Sequence, residues 1–507
     1  MYNSFNLNNI LFLLYRLSSV ILVQTAYVPD EYWQSLEVAH KMVFGYGYLT
    51  WEWKQGLRSY FYPFLISLFY KGLEYLKLDT AEALVIMPRI FQAVLTAISD
   101  SYFLRFSKNL GCNEYWTKTM IFTNWFWYFC SSRTILNMFE TSLTIIALYY
   151  YPWNIVKHSK SAVSSWADVK SQSYKYLTIA AINCIVRPTA ITIWGPLVLY
   201  QAIQLYPKYT TDFILKVAVP ITILISCVSV SIDYLWYEKL VFPPYNFLIS
   251  NIFSGVASFY GSHPFHWYLT QGIPTILGLH IVPFVLGSYF ISGNWRKHDK
   301  FEKICSVMFV IILLNIMIFS IIPHKEFRFI LPLLPMMEII GVKFMSNISK
   351  LNSKKKLITT LLFIGFIIPS ILFGIFHQRG TLTVMSHLSS EASKYGDDAS
   401  FLFLTPCHAT PLYSHLHVNV PVRFLTCDPP IADGHNDESD DFLRKPVDWL
   451  KNNWNRLGMY THIVCFDTVQ PAIDGFLKEK GFFLSEKFMH TILTGSSHGD
   501  AIYVYKQ

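Results

Sequence analysis

The sequence predicts a mainly α, polytopic membrane helix bundle with a small α/β domain at its C-terminal end. Three observations predict it. Only 15% of the 507 residues are charged, against roughly 25% in soluble globular proteins. The apolar residues come in blocks of about 20, the length that crosses a ~30 Å hydrocarbon core. Beyond residue 378 those blocks stop, and charge and turn residues rise. A disordered chain, a coiled coil and a plain cytosolic enzyme are excluded. The net charge of +8 is too modest to argue for nucleic acid. Much of the excess sits in short loops, where it reports orientation rather than a partner.

The apolar windows fall near 10–28, 60–77, 83–104, 117–131, 139–156, 176–204, 214–235, 269–292, 304–322, 328–348 and 357–376. They predict about 11–13 spans. The long window at 176–204 contains Pro188 and Pro196, which allow two short or broken helices there. The first window has no basic flank and no small-residue cleavage site, so it reads as an uncleaved anchor. No internal repeat of the transporter kind is visible. Arg296, Lys297, Lys300 and Lys303 crowd one loop, and Lys350, Lys354, Lys355 and Lys356 another. The positive-inside rule puts both in the cytosol. The turn 323–328 and the region after 376 then face the lumen, while the parity of the middle helices stays open. The sequon Asn347-Ile348-Ser349 falls on the cytosolic side and is expected to be unglycosylated.

The domains expected are therefore 1–377, a multi-span unit with a luminal first loop at 28–59, and 378–507, a luminal α/β domain. In the latter, β-rich runs at 401–404, 418–425, 462–466 and 501–505 alternate with helices at 446–457 and 471–480, each opened by a proline. The acidic run 437–441 reads as a solvated loop. Cys130, Cys184, Cys227 and Cys305 lie in apolar windows as small hydrophobes. Cys407, Cys427 and Cys465 lie in the polar region, where an oxidising lumen permits one disulfide whose pairing the sequence leaves open.

Four constellations carry chemistry. In the first loop, Asp30 and Glu31 sit where the chain leaves the bilayer, and Trp33, Leu36, His40 and Val43 follow at helical spacing. Such a helix is expected in the interface plane. A partly desolvated carboxylate there suits a base; an aspartate opening a helix is also an ordinary cap. Next, His324-Lys325-Glu326-Phe327-Arg328 packs four ionisable groups between two apolar windows. Arg and Lys together suit a phosphate, or else snorkel, with a local Lys–Glu pair. Third come polar groups at membrane depth. Arg89 and Asp100 share one helix face, Arg133, Asn137 and Glu140 another, and Arg187 precedes Pro188. They mark a site or pair structurally within the bundle. Fourth, the aromatic loop 260–268, with His263 and His266, suits sugar faces or an interface belt. Cys407, His408, His415, His417 and Cys427 match no standard zinc spacing, so no metal is expected. There is no P-loop, no dinucleotide fingerprint and no Asp-x-Asp motif.

His324-Lys325-Glu326-Phe327-Arg328-Phe329 resembles the His-Lys-Glu-x-Arg-Phe signature of family 22 glycosyltransferases. These are multi-span enzymes of the GT-C class in the endoplasmic reticulum. Pro29-Asp30-Glu31-Tyr32-Trp33-Gln34-Ser35-Leu36-Glu37 and Tyr48-Leu49-Thr50-Trp51-Glu52-Trp53 look like the branch that mannosylates glycosylphosphatidylinositol (GPI) precursors. So do Gly261-Ser262-His263-Pro264 and Pro406-Cys407-His408-Ala409-Thr410-Pro411. Phe265 stands where that branch would have Trp. The likeness runs from about Pro29 into the C-terminal domain.

The resemblance implies transfer of the third core mannose of GPI through an α-1,2 bond, with inversion, from dolichyl phosphate mannose. It implies a luminal site in the endoplasmic reticulum membrane and no cofactor, with the lipid-linked donor and the GPI precursor as partners. Asp30 is the base this implies, with Glu31 orienting or substituting for it. His324, Lys325 and Arg328 would meet the donor phosphate, with Arg89, Arg133, Arg187, His263 and His266 as further substrate contacts. The rivals are a dolichol-linked oligosaccharide mannosyltransferase of the N-glycan pathway, a membrane lipid transporter and a membrane-bound acyltransferase. The last calls for a mid-span histidine that the sequence does not clearly offer.

Overall fold

The computed structural model describes residues 2–153, 165–250, 259, 261–293, 300–348, 353–429, 437–493 and 499–507. Tyr260, Arg296, Lys297, Ser349 of the sequon and Lys350 lie outside them. The chain is mainly helical. It forms two compact units. One comprises Met1–Ser19, Gly56–Tyr62 and Ile90–Ser370; the other comprises Val20–Gln55, Pro63–Arg89 and Ile371–Gln507. The second gathers the expected C-terminal domain together with most of the first loop.

Among the described residues six helical segments are long and apolar enough to cross a membrane: Ala81–Asn109, Thr210–Tyr237, Tyr268–Ser292, Glu302–Ile321, Phe327–Asn347 and Lys355–Tyr395. The remaining windows are helical but shorter or broken, for local reasons. The window at 117–131 becomes Glu114–Thr123 and Trp125–Cys130 because Asn124 caps the second piece, its side chain accepting from Trp127 N. The window at 176–204 breaks at Pro188, while Pro196 sits inside a continuous helix. Trp166–Val186 stops at Arg187, which the following proline holds extended (φ −140°, ψ 104°), and Ile191–Leu205 resumes after one tight turn.

In the second unit five strands form one sheet: β1 (Phe401–Leu404), β2 (Val422–Phe424), β3 (His462–Phe466), β4 (Phe483–Met489) and β5 (Ala501–Lys506). The order is β2-β1-β3-β5-β4. β1 runs parallel to β2 and β3, and β5 antiparallel to β3 and β4. Pro446–Leu457 and Gln470–Glu479 are helical as expected. Leu402, Leu404, Phe442, Leu450, Ile463, Cys465, Ile473, Leu477 and Tyr505 form the core on one side. Each large apolar side chain there contributes about 1.5–3 kcal/mol.

One expectation is corrected. The acidic run is not a loop: Asp437 caps the helix Glu438–Arg444 by accepting from Asp440 N at 2.9 Å, and Phe442 anchors it in the core. Carboxylates in a first turn suit the positive end of a helix. β4 had no expectation at all. It is an edge strand with mostly exposed residues, so it lacks the buried alternation that identifies a strand.

Candidate functional site

The first loop is built around one helix. The chain is helical from Asp30 to Phe44, with a wide π turn at Tyr32–Leu36 before the regular Glu37–Phe44. π turns free backbone carbonyls and recur at functional sites. Here the freed groups are taken up locally. Ser35 Oγ donates to the Glu31 carbonyl, and Trp53 Nε1 donates to the Trp33 carbonyl at 3.2 Å. Gln34 Nε2 reaches Glu52 Oε2 at 3.1 Å. The 28–37 and 48–53 motifs are therefore two halves of one structure. Asp30 opens the helix half-buried, whereas Glu31 is 3% exposed.

The apolar face of this helix is covered by protein, whereas its spacing suggested a face left for the membrane interface. Trp33, Leu36 and His40 are buried. Trp33 packs edge-on to His408 (centroids 4.6 Å apart) and against Phe424, Tyr32 meets His415 at 5.3 Å, and His40 Nε2 lies 3.1 Å from His417 Nδ1. The loop that supplies these histidines is closed by a disulfide between Cys407 and Cys427, with Cα atoms 5.9 Å apart. Cys465 stays in the sheet core. His408 Nδ1 lies 3.8 Å from Cys427 Sγ, a metal-like grouping, but the two sulfurs are bonded to each other and offer no thiolate.

Burial pushes His40 and His415 down to about 3, the latter helped by Arg89 and His40, and His408 to about 4 against the opposing pull of Asp30. His417 opposes protonation of His40 too, and His417 is itself lowered by burial although Asp79 faces it at 3.5 Å. A histidine held neutral in the folded state stabilises fully above its unfolded value near 6.5 and loses that contribution as pH falls toward its folded value. At pH 5, His40 and His415 should each cost about 2 kcal/mol. Acidification from pH 7.5 to 5 is therefore expected to lower the melting temperature of the purified protein, and His415→Asn to flatten that dependence. A pH-independent melting temperature would contradict it.

In the other unit, the turn 323–328 is a hydrogen-bonded device. Glu326 grips Arg328 with both oxygens (Nε–Oε2 2.7 Å, Nη2–Oε1 2.6 Å) and meets His324 Nε2 at 3.0 Å. Burial opposes the charge on Glu326, but Arg328 and His324 outweigh it and hold the carboxyl far below its ordinary range. Asn137 Nδ2 donates to the Arg328 carbonyl at 2.8 Å. The local Lys–Glu pair of the alternative reading does not form. Lys325 Nζ instead faces the carbonyls of Ile322, His263 and Pro323 at 2.6, 3.0 and 3.4 Å. An ammonium has three protons, so Lys325 ties the aromatic loop to the turn rather than waiting for a phosphate. His263 N also donates to the Pro323 carbonyl (3.0 Å), and its ring stacks on Trp267. His266 is exposed on the same loop.

The buried arginines divide. Arg187 pairs with Glu140 at 2.7 Å and lies within electrostatic reach of Arg328 and Arg58. Arg133 does not share a helix face with Asn137 and Glu140. The helix Leu136–Tyr150 begins after it, and its guanidinium lies over the Phe129 ring at 4.1 Å. Asp100 pairs with Arg16 at 2.6 Å, not with Arg89. Arg89 donates to the Val23 carbonyl and acts on His415, both in the unit of Asp30. Sequence reading missed two partners: Glu326 as the group that orients Arg328, and Glu140 for Arg187. The signal for Glu326 was its place inside a cationic cluster.

Comparison with known proteins adds to this geometry. Residues 8–417 match the model of the Alg9-like mannosyltransferase family. A GPI mannosyltransferase 3 of Drosophila melanogaster is 42% identical over 480 residues, 92% of this chain and 81% of its own. A GPI alpha-1,2-mannosyltransferase 3 of Homo sapiens is 37% identical over 500 residues, 97% of this chain and 85% of its own. Among solved structures, ArnT from Cupriavidus metallidurans in the apo state superposes with a TM-score of 0.63 at 12% identity, covering 98% of this chain and 97% of that one, a likeness of fold.

Proposed function

The chain belongs to the Alg9-like mannosyltransferase family, among the GPI mannosyltransferase 3 proteins, and from that premise we propose that it adds the third mannose of the GPI core. The donor is dolichyl phosphate mannose and the new bond is α-1,2, formed with inversion on the luminal side of the endoplasmic reticulum membrane. The observation that carries this reading is the oriented guanidinium of Arg328. Arg328 is the second residue of the membrane-length segment Phe327–Asn347, just past the turn that follows Glu302–Ile321. A phosphate whose lipid tail stays in hydrocarbon meets a fixed cation at that boundary.

Each group then has a task. Asp30 takes the proton of the acceptor hydroxyl as its oxygen attacks the anomeric carbon. The bond from that carbon to the phosphate oxygen breaks, and dolichyl phosphate leaves with the electron pair. That leaving group is already a competent anion, so no acid is needed. Arg328, with His324 beside it, stabilises the charge that develops. Glu31 supports Asp30, and Arg187 adds positive potential near Arg328. Arg89 and Arg133 act through the elements they brace. The exposed His263 and His266 face the sugars. No nucleotide diphosphate is involved, so the reaction has no call for a divalent cation.

The test is an assay of membranes in which this chain is the sole mannosyltransferase. Given dolichyl phosphate mannose and a two-mannose GPI acceptor, the acceptor should gain one mannose that an α-1,2-mannosidase removes. A chelator should leave the rate unchanged, and a loss restored by a divalent ion would refute the metal-free reading. Transfer to a dolichol-linked oligosaccharide instead would move the chain to the N-glycan pathway. Lipid movement without transfer would make it a transporter.

A further inference from the structure

Glu37 has no part in the chemistry above, yet it is 0% exposed. It opens the regular helix Glu37–Phe44, downstream of Asp30 on the same helical run. Its carboxylate is spent on one short turn of the C-terminal region. Oε1 accepts from Leu412 N at 2.7 Å, from Ser414 Oγ at 2.5 Å and from Ser414 N at 3.2 Å, and Oε2 accepts from Ser414 N at 3.3 Å. Burial raises the proton affinity of this carboxyl, and those bonds work against it. A buried carboxylate is a costly way to fill space; an apolar side chain does so without desolvating a charge. What the carboxylate adds is direction, because its oxygens can meet those donors in only one register.

The turn is itself held rigidly. It lies inside the loop that the Cys407–Cys427 disulfide closes. Ser414 Oγ also lies 2.9 Å from His415 Nδ1, Tyr413 OH donates to the Val420 carbonyl at 2.9 Å, and Ser389 Oγ donates to the Leu416 carbonyl at 3.0 Å. The same loop touches the Asp30 helix at three levels: His408 on Trp33, the 412–414 turn on Glu37, and His417 on His40. Positions 33, 37 and 40 follow helical spacing, so one loop grips one face of the helix.

We propose that Glu37 is a positioning residue for the transfer: through the 412–414 turn it fixes the register of the helix whose first residue is Asp30. This rests on the assignment of Asp30 as the base. A base misplaced by 1 Å costs about 10²-fold in rate, so the effect belongs in kcat and not in KM.

Two measurements on the full-length chain in membranes test it. In the mannosyl-transfer assay, Glu37→Ala should lower kcat about 10²-fold, with KM for donor and acceptor within about two-fold. Glu37→Gln, which keeps one acceptor oxygen, should recover most of the rate. Ser414→Ala should lower kcat too, and the Glu37→Ala/Ser414→Ala double variant should be no slower than Glu37→Ala, because the two act as a unit. In the second measurement, the rate at which a membrane-impermeant maleimide labels an Asp30→Cys chain should shift at least about five-fold when Glu37→Ala is added. The Cys407–Cys427 disulfide, read on non-reducing gels, reports folding. Should Glu37→Ala lose it, the same labelling comparison is made with Ser414→Ala.

A wild-type kcat in Glu37→Ala, multiplicative effects in the double variant, a loss confined to KM or an unmoved labelling rate would each overturn the proposal. Absence of transfer by the wild-type chain would sink the proposed reaction, while the labelling arm still decides the role of Glu37.

Discussion

Asp30→Asn is expected to lower the rate of mannosyl transfer by about 10²–10⁴-fold, the usual worth of a general base, with chain level and membrane insertion unchanged. Asn is nearly isosteric, so it fits the same place in the first turn of the helix. The start of the 30–44 helix and its contacts with the 407–427 loop should therefore survive. What disappears is the ability to take the acceptor proton. The neighbouring carboxylate is the natural control. Glu31 is 3% exposed, inside the fold, whereas Asp30 is only half-buried. Glu31→Gln should thus act mainly through stability, read as a lowered melting temperature, with smaller loss of rate per folded molecule. Initial rates normalised to folded protein separate the two. Near-normal transfer by Asp30→Asn would remove it from the base role, and an inactive but stable Glu31→Gln would pass that role to Glu31.

The helices were legible because membrane burial writes itself locally. A run of about 20 apolar residues has few other uses. The break at Arg187-Pro188 followed from the steric clash that proline imposes on its neighbour. The break at Asn124 did not, because a cap residue inside an aromatic run is masked by the apolar residues around it. Its amide caps one helix and also donates to Glu338 Oε1 at 2.7 Å, a partner 214 residues away. The same distinction explains the C-terminal sheet. β1, β3 and β5 are interior strands of mostly buried apolar residues, while the edge strand β4 has no such pattern to read.

The candidate residues were legible as types and illegible as partners. Asp30 and the 324–328 cluster stand out because charge at a membrane boundary needs a reason. Which charge pairs with which is set by geometry that spacing does not carry. Glu326 turned to Arg328 and His324, and Lys325 to three carbonyls. The burial of the 30–44 helix escapes its spacing for the same cause. Trp33, Leu36 and His40 have the periodicity of an interfacial helix, but their cover comes from the 407–427 loop. Glu37 and Leu412 are 375 residues apart in sequence.

Arg328→Ala should cut donor use by about 10²–10³-fold, the cost of removing one preorganised donor to developing charge, and leave acceptor KM nearly unchanged. The reasoning turns on Glu326. A guanidinium gripped by two carboxylate oxygens at 2.7 and 2.6 Å is fixed in plane and direction. It therefore pays no reorganisation as the phosphate departs. Arg328→Lys keeps the charge but loses the two-pronged grip, so it should fall between wild type and alanine. Glu326→Gln leaves the charge of Arg328 intact and removes the anion that orients it; its loss should appear in kcat at saturating donor. A purely electrostatic attraction of the lipid phosphate would rank the variants differently. Lysine would be nearly as good as arginine, and Glu326→Gln, by deleting a negative charge, would bind donor more tightly and react as fast. Initial rates across a titration of dolichyl phosphate mannose distinguish the two rankings, and an unchanged donor dependence in Arg328→Ala would remove Arg328 from the phosphate altogether.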